Sequence, residues 1–195
     1  RATGIRRIGH TGTLDPMATG VLVLLTGRAT RLARFFGADQ KAYVATVRLG
    51  AATDTYDATG TPVPVETASA EQHRIPDRAA VEAVLAGFRG RIQQTAPPFS
   101  AKKIAGVRAY VLARRRAPVL PAPVTVVVHA LELVAFDGTR LDLRVVTSGG
   151  FYVRSLAHDL GTRLGRGAYL EALRRARVGV FNLEHAVSLA TLEAE

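Results

Sequence analysis

One carboxylate, one imidazole and several hydroxyls crowd the stretch His10-Thr11-Gly12-Thr13-Leu14-Asp15-Pro16-Met17-Ala18-Thr19-Gly20. Glycines at positions 9, 12 and 20 give its backbone freedom to approach a ligand or to reverse sharply. The Lys-Ser/Thr ending and the spacing of a phosphate-binding loop are absent. Asp15 is the only acid in the stretch. A chemistry that needs one positioned carboxylate therefore fits better than glycoside hydrolysis, which wants two acids flanking one bond. Taken alone, an Asp-Pro pair more often just starts a turn. The rest of the chain has to decide.

The chain has 195 residues, enough for one domain with a sizeable core or for two small subdomains around a cleft. At 48% apolar residues it is not a disordered tail. No apolar run approaches the roughly 20 residues of a membrane-spanning helix. The opening Arg1-Ala2-Thr3 has no signal-peptide pattern, so a cytoplasmic protein is expected. With no cysteine, disulfides and thiolate metal sites are excluded. Lys plus Arg number 26 against 16 acids, a net charge of +10, and Arg outnumbers Lys 23 to 3. Such a balance points to a polyanionic partner, and guanidinium forks suit phosphates and base edges. A GC-rich coding bias would enrich Arg, Ala and Gly in the same way.

The elements that must position Asp15 read as follows. Residues 4–20 form a loop, and Thr30 to Phe36 a short helix closed by Gly37. Lys41 to Leu49 alternates, with Tyr43, Ala45, Val47 and Leu49 on one face, and reads as a strand. Residues 50–76 carry turn formers and read as an exposed excursion. Asp77 caps a helix whose inner face holds Ala80, Val81, Val84, Leu85 and Phe88. Gln93 to Ser100 is a loop, Val107 to Arg115 a short basic helix, and 118–123 a Pro-bounded linker. Val124 to Phe136 and Arg140 to Thr147 are strands joined at Asp137-Gly138, a hairpin signal. After Gly149-Gly150 comes a helix with Val153, Leu156, Ala157, Leu160 and Leu164 inward. A second short helix is expected around Leu170 and Leu173, then a closing strand from Val178 to Phe181. Strands in hairpins rather than βαβ units make the class α+β with a mostly antiparallel sheet.

His10 to Leu22 resembles the signature of the TruB family of tRNA pseudouridine synthases, in which Gly-His-Thr-Gly-Thr-Leu-Asp-Pro carries a single catalytic aspartate. The resemblance continues through Lys41-Ala42-Tyr43, Leu49-Gly50 and Thr53-Asp54-Thr55 with Asp57 and Gly60. It resumes at Pro97-Pro98-Phe99-Ser100-Ala101-Lys102-Lys103, Gly106 and Arg108-Ala109-Tyr110. It ends with Ser148 to Ser155, Asp159-Leu160-Gly161 and Leu173-Arg174-Arg175. The blocks stand in family order over residues 4–183.

The resemblance implies the pseudouridine-synthase fold, a mixed, mostly antiparallel sheet with flanking helices and a central RNA-binding cleft. It implies isomerisation of uridine to pseudouridine at position 55 in the T loop of tRNA, by base flipping and cleavage at C1′, with Asp15 as the carboxylate. Asp15 either attacks the sugar or removes a proton from it. Arg154 pairs with Asp15 and keeps it ionised. A cation in that first helical turn opposes the helix dipole, which favours a special partner. Tyr43 stacks on the flipped uracil, His10 fills space near it or contacts RNA, and Tyr152 and Leu173 line the pocket. Asp54 and Asp57 structure a loop or position RNA. Arg108, Arg114 to Arg116, Arg174, Arg175 and Arg177 are the phosphate candidates. Neither cofactor nor metal is needed, and a monomer acting on the T-arm stem-loop, without an obligate protein partner, is expected. Residues 1–185 would be the catalytic domain and 186–195 the start of a linker helix. The family's first strand, with its Lys-Pro-x-Gly-x-Thr-Ser motif, and a C-terminal RNA-binding module are expected to be missing. The alternatives are a non-catalytic RNA-binding or RNA-folding module of this fold and a guide-RNA-dependent relative.

Overall fold

The computed structural model describes residues 4–37, 39–65, 75–114 and 119–194. The chain opens with β1 (Ile8–His10), β2 (Thr19–Gly20) and β3 (Leu24–Thr26), then a 3-10 stretch (Gly27–Leu32) running into α1 (Ala33–Phe36). Next come β4 (Lys41–Leu49), β5 (Ala52–Thr53), β6 (Pro62–Val63), α2 (Arg78–Ala86) and β7 (Gly90–Gln94). A small hairpin, β8 (Lys103–Ile104) and β9 (Val107–Arg108), leads into α3 (Ala109–Arg114). The second half holds β10 (Val124–Phe136), β11 (Arg140–Thr147), α4 (Val153–Arg163), β12 (Ala168–Val178), β13 (Phe181–Asn182) and α5 (Leu189–Ala194).

Among the described residues seven strands form the main sheet, in the order β13-β12-β4-β11-β10-β7, with β2 added on β12. All neighbours are antiparallel except β2 and β12. The α+β class with a mostly antiparallel sheet is therefore present. No helix of the described residues is long and apolar enough to cross a membrane.

The core follows from the register. Leu133, Leu143, Ala45 and Leu173 stand in one row across β10, β11, β4 and β12, and Leu141, Val47 and Leu170 in the next. All seven are buried, and α4 packs over this face against β12 and β4 while α2 packs on α4 and β10. Each fully buried leucine contributes roughly 1.5–3 kcal/mol relative to an exposed one. The opposite face is wet, as antiparallel sheets allow. There Val44 is exposed, and the Thr46 hydroxyl donates to Asp142 Oδ1 at 2.7 Å.

Several sequence expectations need correction. The segment around Leu170 and Leu173 is not a helix but the long strand β12. Bulges between Leu170 and Ala172 and between Arg175 and Arg177 interrupt its alternation. The inward residues 168, 170, 173, 175 and 178 are consequently spaced by two and three in turn, which imitates helical periodicity. Residues 4–20 are not all loop, since β1 pairs with β3 and β2 with β12 through backbone alone. Gln93 and Gln94 belong to edge strand β7, which has one apolar residue in five and so no legible alternation. The basic helix begins at Ala109, after β9, and Arg115 lies outside the described residues. The closing strand is split: β12 ends at Val178 and turns into β13. Residues 50–76 are not wholly exposed, because Ala52, Thr53 and Asp57 are buried, while 66–74 lie outside the described residues. Asp77 caps α2 as expected, accepting from the Ala80 N–H at 2.7 Å. Val81, Leu85 and Phe88 face inward, but Ala80 is exposed.

Candidate active site

The loop carrying Asp15 is held at both ends. Thr11 N–H donates to the Val23 carbonyl at 3.2 Å, and Ala18 N–H closes a turn onto the Asp15 carbonyl at 2.9 Å. Beyond the turn the chain lies against β12, where Val21 N–H donates to the Arg175 carbonyl at 2.8 Å. Gly20 makes that approach possible: its φ is +103°, and a Cβ there would collide with the Arg175 carbonyl oxygen. Pinned in this way, the loop turns the Asp15 side chain, 23% exposed, into a cleft of about 670 Å³. That volume is within the range of small-ligand sites.

Arg154 enters the cleft from the first turn of α4. Its Nη2 lies 2.8 Å from Asp15 Oδ1, so the pair expected from the sequence is formed. The side chain is 7% exposed, and Nη1 and Nη2 also donate to the carbonyls of Thr55 and Phe99 at 3.0 and 3.1 Å. A buried cation at a helix N-terminus is doubly disfavoured, by desolvation and by the dipole. Two carboxylates offset this, since Asp57 Oδ2 faces Arg154 Nε at 3.6 Å, an ionic rather than hydrogen-bonded contact.

Asp57 is fixed in turn by its own loop. Its Oδ1 accepts from Thr55 Oγ1, Thr59 N and Thr59 Oγ1 at 2.9, 2.9 and 2.6 Å. The Thr53 hydroxyl donates to its carbonyl at 2.8 Å. The sequence reading of Asp57 as a loop-structuring residue left out this second link to Arg154, for which the Thr-Asp-Thr-Tyr-Asp run offered no signal beyond its density of hydroxyls.

Tyr43, Tyr152 and Leu173 line the same cleft, from β4, the N-cap of α4 and β12. Gln94 sets the start of α4: its Oε1 accepts the Tyr152 N–H at 2.8 Å and its Nε2 donates to the Tyr152 carbonyl at 3.0 Å. Burial pushes the phenols of Tyr43 and Tyr152 up, so both stay neutral hydroxyls at physiological pH. Lys41, also in the lining, is lowered by burial and then by the charge of Arg175. His10 is not in the lining; it sits exposed on β1, paired with Leu24.

The arginines sort differently from the sequence reading. Arg175 is 2% exposed and donates to loop carbonyls, so it is not available to phosphate. Arg177 donates to the Gly179 carbonyl at 2.9 Å. Arg174 is exposed, and Arg108 is exposed in the cleft lining. Arg115 and Arg116 lie outside the described residues, as does the side chain of Arg114.

Comparison with known proteins fits this geometry. Residues 1–153 match the model of the TruB family pseudouridylate synthase (N terminal domain), and residues 154–195 that of the tRNA pseudouridylate synthase B C-terminal domain. The chain is 46% identical over 187 residues to tRNA pseudouridine synthase B of Aquifex aeolicus, covering 94% of this chain and 63% of that protein. It is 45% identical to that of Solibacter usitatus, covering 100% and 64%, and 42% identical to that of Opitutus terrae, covering 100% and 78%. The chain thus spans just under two thirds of the first two relatives. Among solved structures, a Cbf5-Nop10-Gar1 complex matches with TM-score 0.69 and 29% identity over 97% of this chain and 46% of that one. An H/ACA RNP bound to a substrate RNA containing 2′-deoxyuridine matches with TM-score 0.66 and 26% identity, covering 97% and 44%. A family match over residues 1–153 and relatives at these identities mean that the chain belongs to the TruB family of pseudouridylate synthases.

Proposed function

We propose that this protein isomerises uridine to pseudouridine at position 55 in the T loop of tRNA, with Asp15 as the catalytic carboxylate. The observation that carries the reading is the 2.8 Å pair of Asp15 and Arg154 inside a cleft that Tyr43 also lines. Relatives named tRNA pseudouridine synthase B support the substrate class. In the isomerisation the C1′–N1 bond breaks, the uracil turns over, and a C1′–C5 bond forms. The proton on C5 is lost and N1, freed from the sugar, gains one, so formula and oxidation state are unchanged. No cofactor or metal is called for.

Asp15 acts at the sugar, by attack or by proton removal, and must be ionised to do either. Arg154 holds the carboxylate in place, while Asp57 balances the second half of the guanidinium. Tyr43 offers a ring face to the flipped base, and Tyr152 and Leu173 wall the pocket. His10, exposed on β1, belongs to the RNA-facing surface in this reading. The catalytic unit is residues 1–185, and the linker from 186 includes α5, which has no buried residue. The enzyme works as a cytoplasmic monomer.

The test is mass spectrometry or carbodiimide mapping of unmodified tRNA after incubation with the protein and with Asp15→Ala. Pseudouridine at the T-loop position with the native residue and none with alanine is expected, with RNA affinity kept within about tenfold because phosphate contacts dominate binding. Turnover by Asp15→Ala at a few per cent of the native rate would reassign the catalyst.

A further inference from the structure

We propose that Arg175 is a positioning residue, a guanidinium clamp that grips both arms of the Asp15 loop and sets where the carboxylate meets the sugar. The inference rests on the reading of Asp15 as the catalyst. Arg175 stands on β12 opposite Tyr43 on β4, on the buried face, 2% exposed. Its Nη2 and Nη1 donate to the Gly12 and Thr13 carbonyls, before Asp15, at 3.1 and 3.3 Å. Its Nε donates to the Val21 carbonyl, after Asp15, at 2.8 Å. Its own carbonyl accepts the Val21 N–H. One residue thus closes the base of a loop whose tip is the Asp15 turn.

Packing alone does not explain this arrangement. Among the described residues no carboxylate pairs with Arg175. A buried cation held by carbonyls and the Tyr43 hydroxyl, with no carboxylate, costs stability relative to an apolar side chain of the same volume. What it adds is geometry: a rigid planar fork reaches three acceptors on two chain segments, which a lysine point charge cannot do. Arg154 orients the carboxylate, and Arg175 fixes the backbone that carries it.

The test uses the full chain with Arg175→Lys, Arg175→Ala and Asp15→Asn. Single-turnover isomerisation of an unmodified tRNA transcript is measured beside RNA affinity and thermal stability. A clamp predicts that both Arg175 variants lose on the order of 10²-fold in rate, the effect of a reacting group displaced by about 1 Å. RNA affinity should change by less than about threefold, because the phosphate contacts are untouched. Millimolar guanidinium should raise the rate of Arg175→Ala saturably, which the ion's denaturing action cannot imitate. A native rate in Arg175→Lys overturns the proposal. So does a rate that falls only in step with the folded fraction, or with RNA affinity, and is not rescued by guanidinium; Arg175 is then an ordinary structural arginine. If Asp15→Asn keeps the native rate, the catalytic reading fails first, whatever the Arg175 variants do.

Discussion

Asp57 and Arg154 face each other 3.6 Å apart with side chains 3% and 7% exposed, so the cation that meets Asp15 is shared between two carboxylates. Such sharing lets Arg154 stay buried at a helix N-terminus without neutralising Asp15 alone. Asp57, which lines the same cleft, is therefore part of the electrostatics of the site.

Asp57→Asn keeps the shape of the residue but removes one of the two negative charges. Isomerisation should slow by roughly 10- to 100-fold through misplacement of Arg154 and Asp15. Stability should fall by about 2 kcal/mol, less than the 3–5 kcal/mol of breaking a lone buried pair, since Asp15 remains. Single-turnover rates and urea unfolding measure both. Native values for rate and stability together would show that Asp15 and the backbone carbonyls hold Arg154 unaided.

Gly20→Ala should be much worse than Gly12→Ala. At position 20 a side chain meets the backbone of Arg175 at a φ of +103°, and neither strand can yield. A loss of about 3 kcal/mol and of most activity is expected. At position 12 the nearest atoms to a Cβ are side-chain ends at 3.7 and 3.8 Å, an ordinary contact, so the change should stay within about 1 kcal/mol. Thermal unfolding of the two variants side by side is the measurement, and equal losses would mean that the loop does not dock on β12 as described.

The same contrast shows what the sequence made legible. The Asp15 loop stands out because glycines, hydroxyls and a single acid occur together, and the Arg154 pairing comes from the family resemblance. The hairpin of β10 and β11 was legible from Asp137-Gly138 and the apolar runs on either side. By contrast, β12 was hidden by its two bulges, which convert an alternating pattern into one of helical spacing. Arg175 was lost with it: once the strand is taken for a surface helix, an inward arginine looks like one of a solvated run. Asp57 was hidden for another reason. Turn-forming residues suggest exposure, yet the hydroxyls of Thr53, Thr55 and Thr59 satisfy this turn internally and let it bury.

A pH effect on stability is expected from Asp159 on α4, apart from the cleft. Burial raises its carboxyl pKa from 3.8 to about 6, with Arg163 opposing. The folded state thus holds this proton more tightly than the unfolded chain does. The associated stability is full below the unfolded pKa of 3.8 and is lost as pH rises through about 6. Asp159→Asn removes the penalty for the charged form. Because the carboxyl is only half-buried and screened, the gain above pH 6 should be about 1 kcal/mol, fading to nothing near pH 4. Melting temperatures across that range test it; a variant less stable than the native protein at pH 8 would contradict this sign.

Recognition of RNA should rest on shape and backbone rather than on extended base reading. The net charge is +10, and Arg6, Arg7, Arg28, Arg31, Arg34, Arg108 and Arg174 are exposed. By contrast, the two buried arginines of the cleft are engaged with protein groups. Folded RNA is read mainly through its shape, 2′-hydroxyls and splayed bases. An isolated T-arm hairpin should therefore be modified nearly as well as whole tRNA. Its affinity should fall steeply with salt, each phosphate contact adding about −0.7 to −0.9 to the log–log slope. Arg108→Ala, at the cleft lining, should reduce that slope by about one contact and weaken all RNA sequences alike, leaving the rate of bound substrate unchanged. Salt titrations of hairpin binding, beside single-turnover assays on hairpin and intact tRNA, supply the measurement. A flat salt response, or a hairpin left unmodified by protein that modifies intact tRNA, would mean that recognition depends on features beyond the T arm.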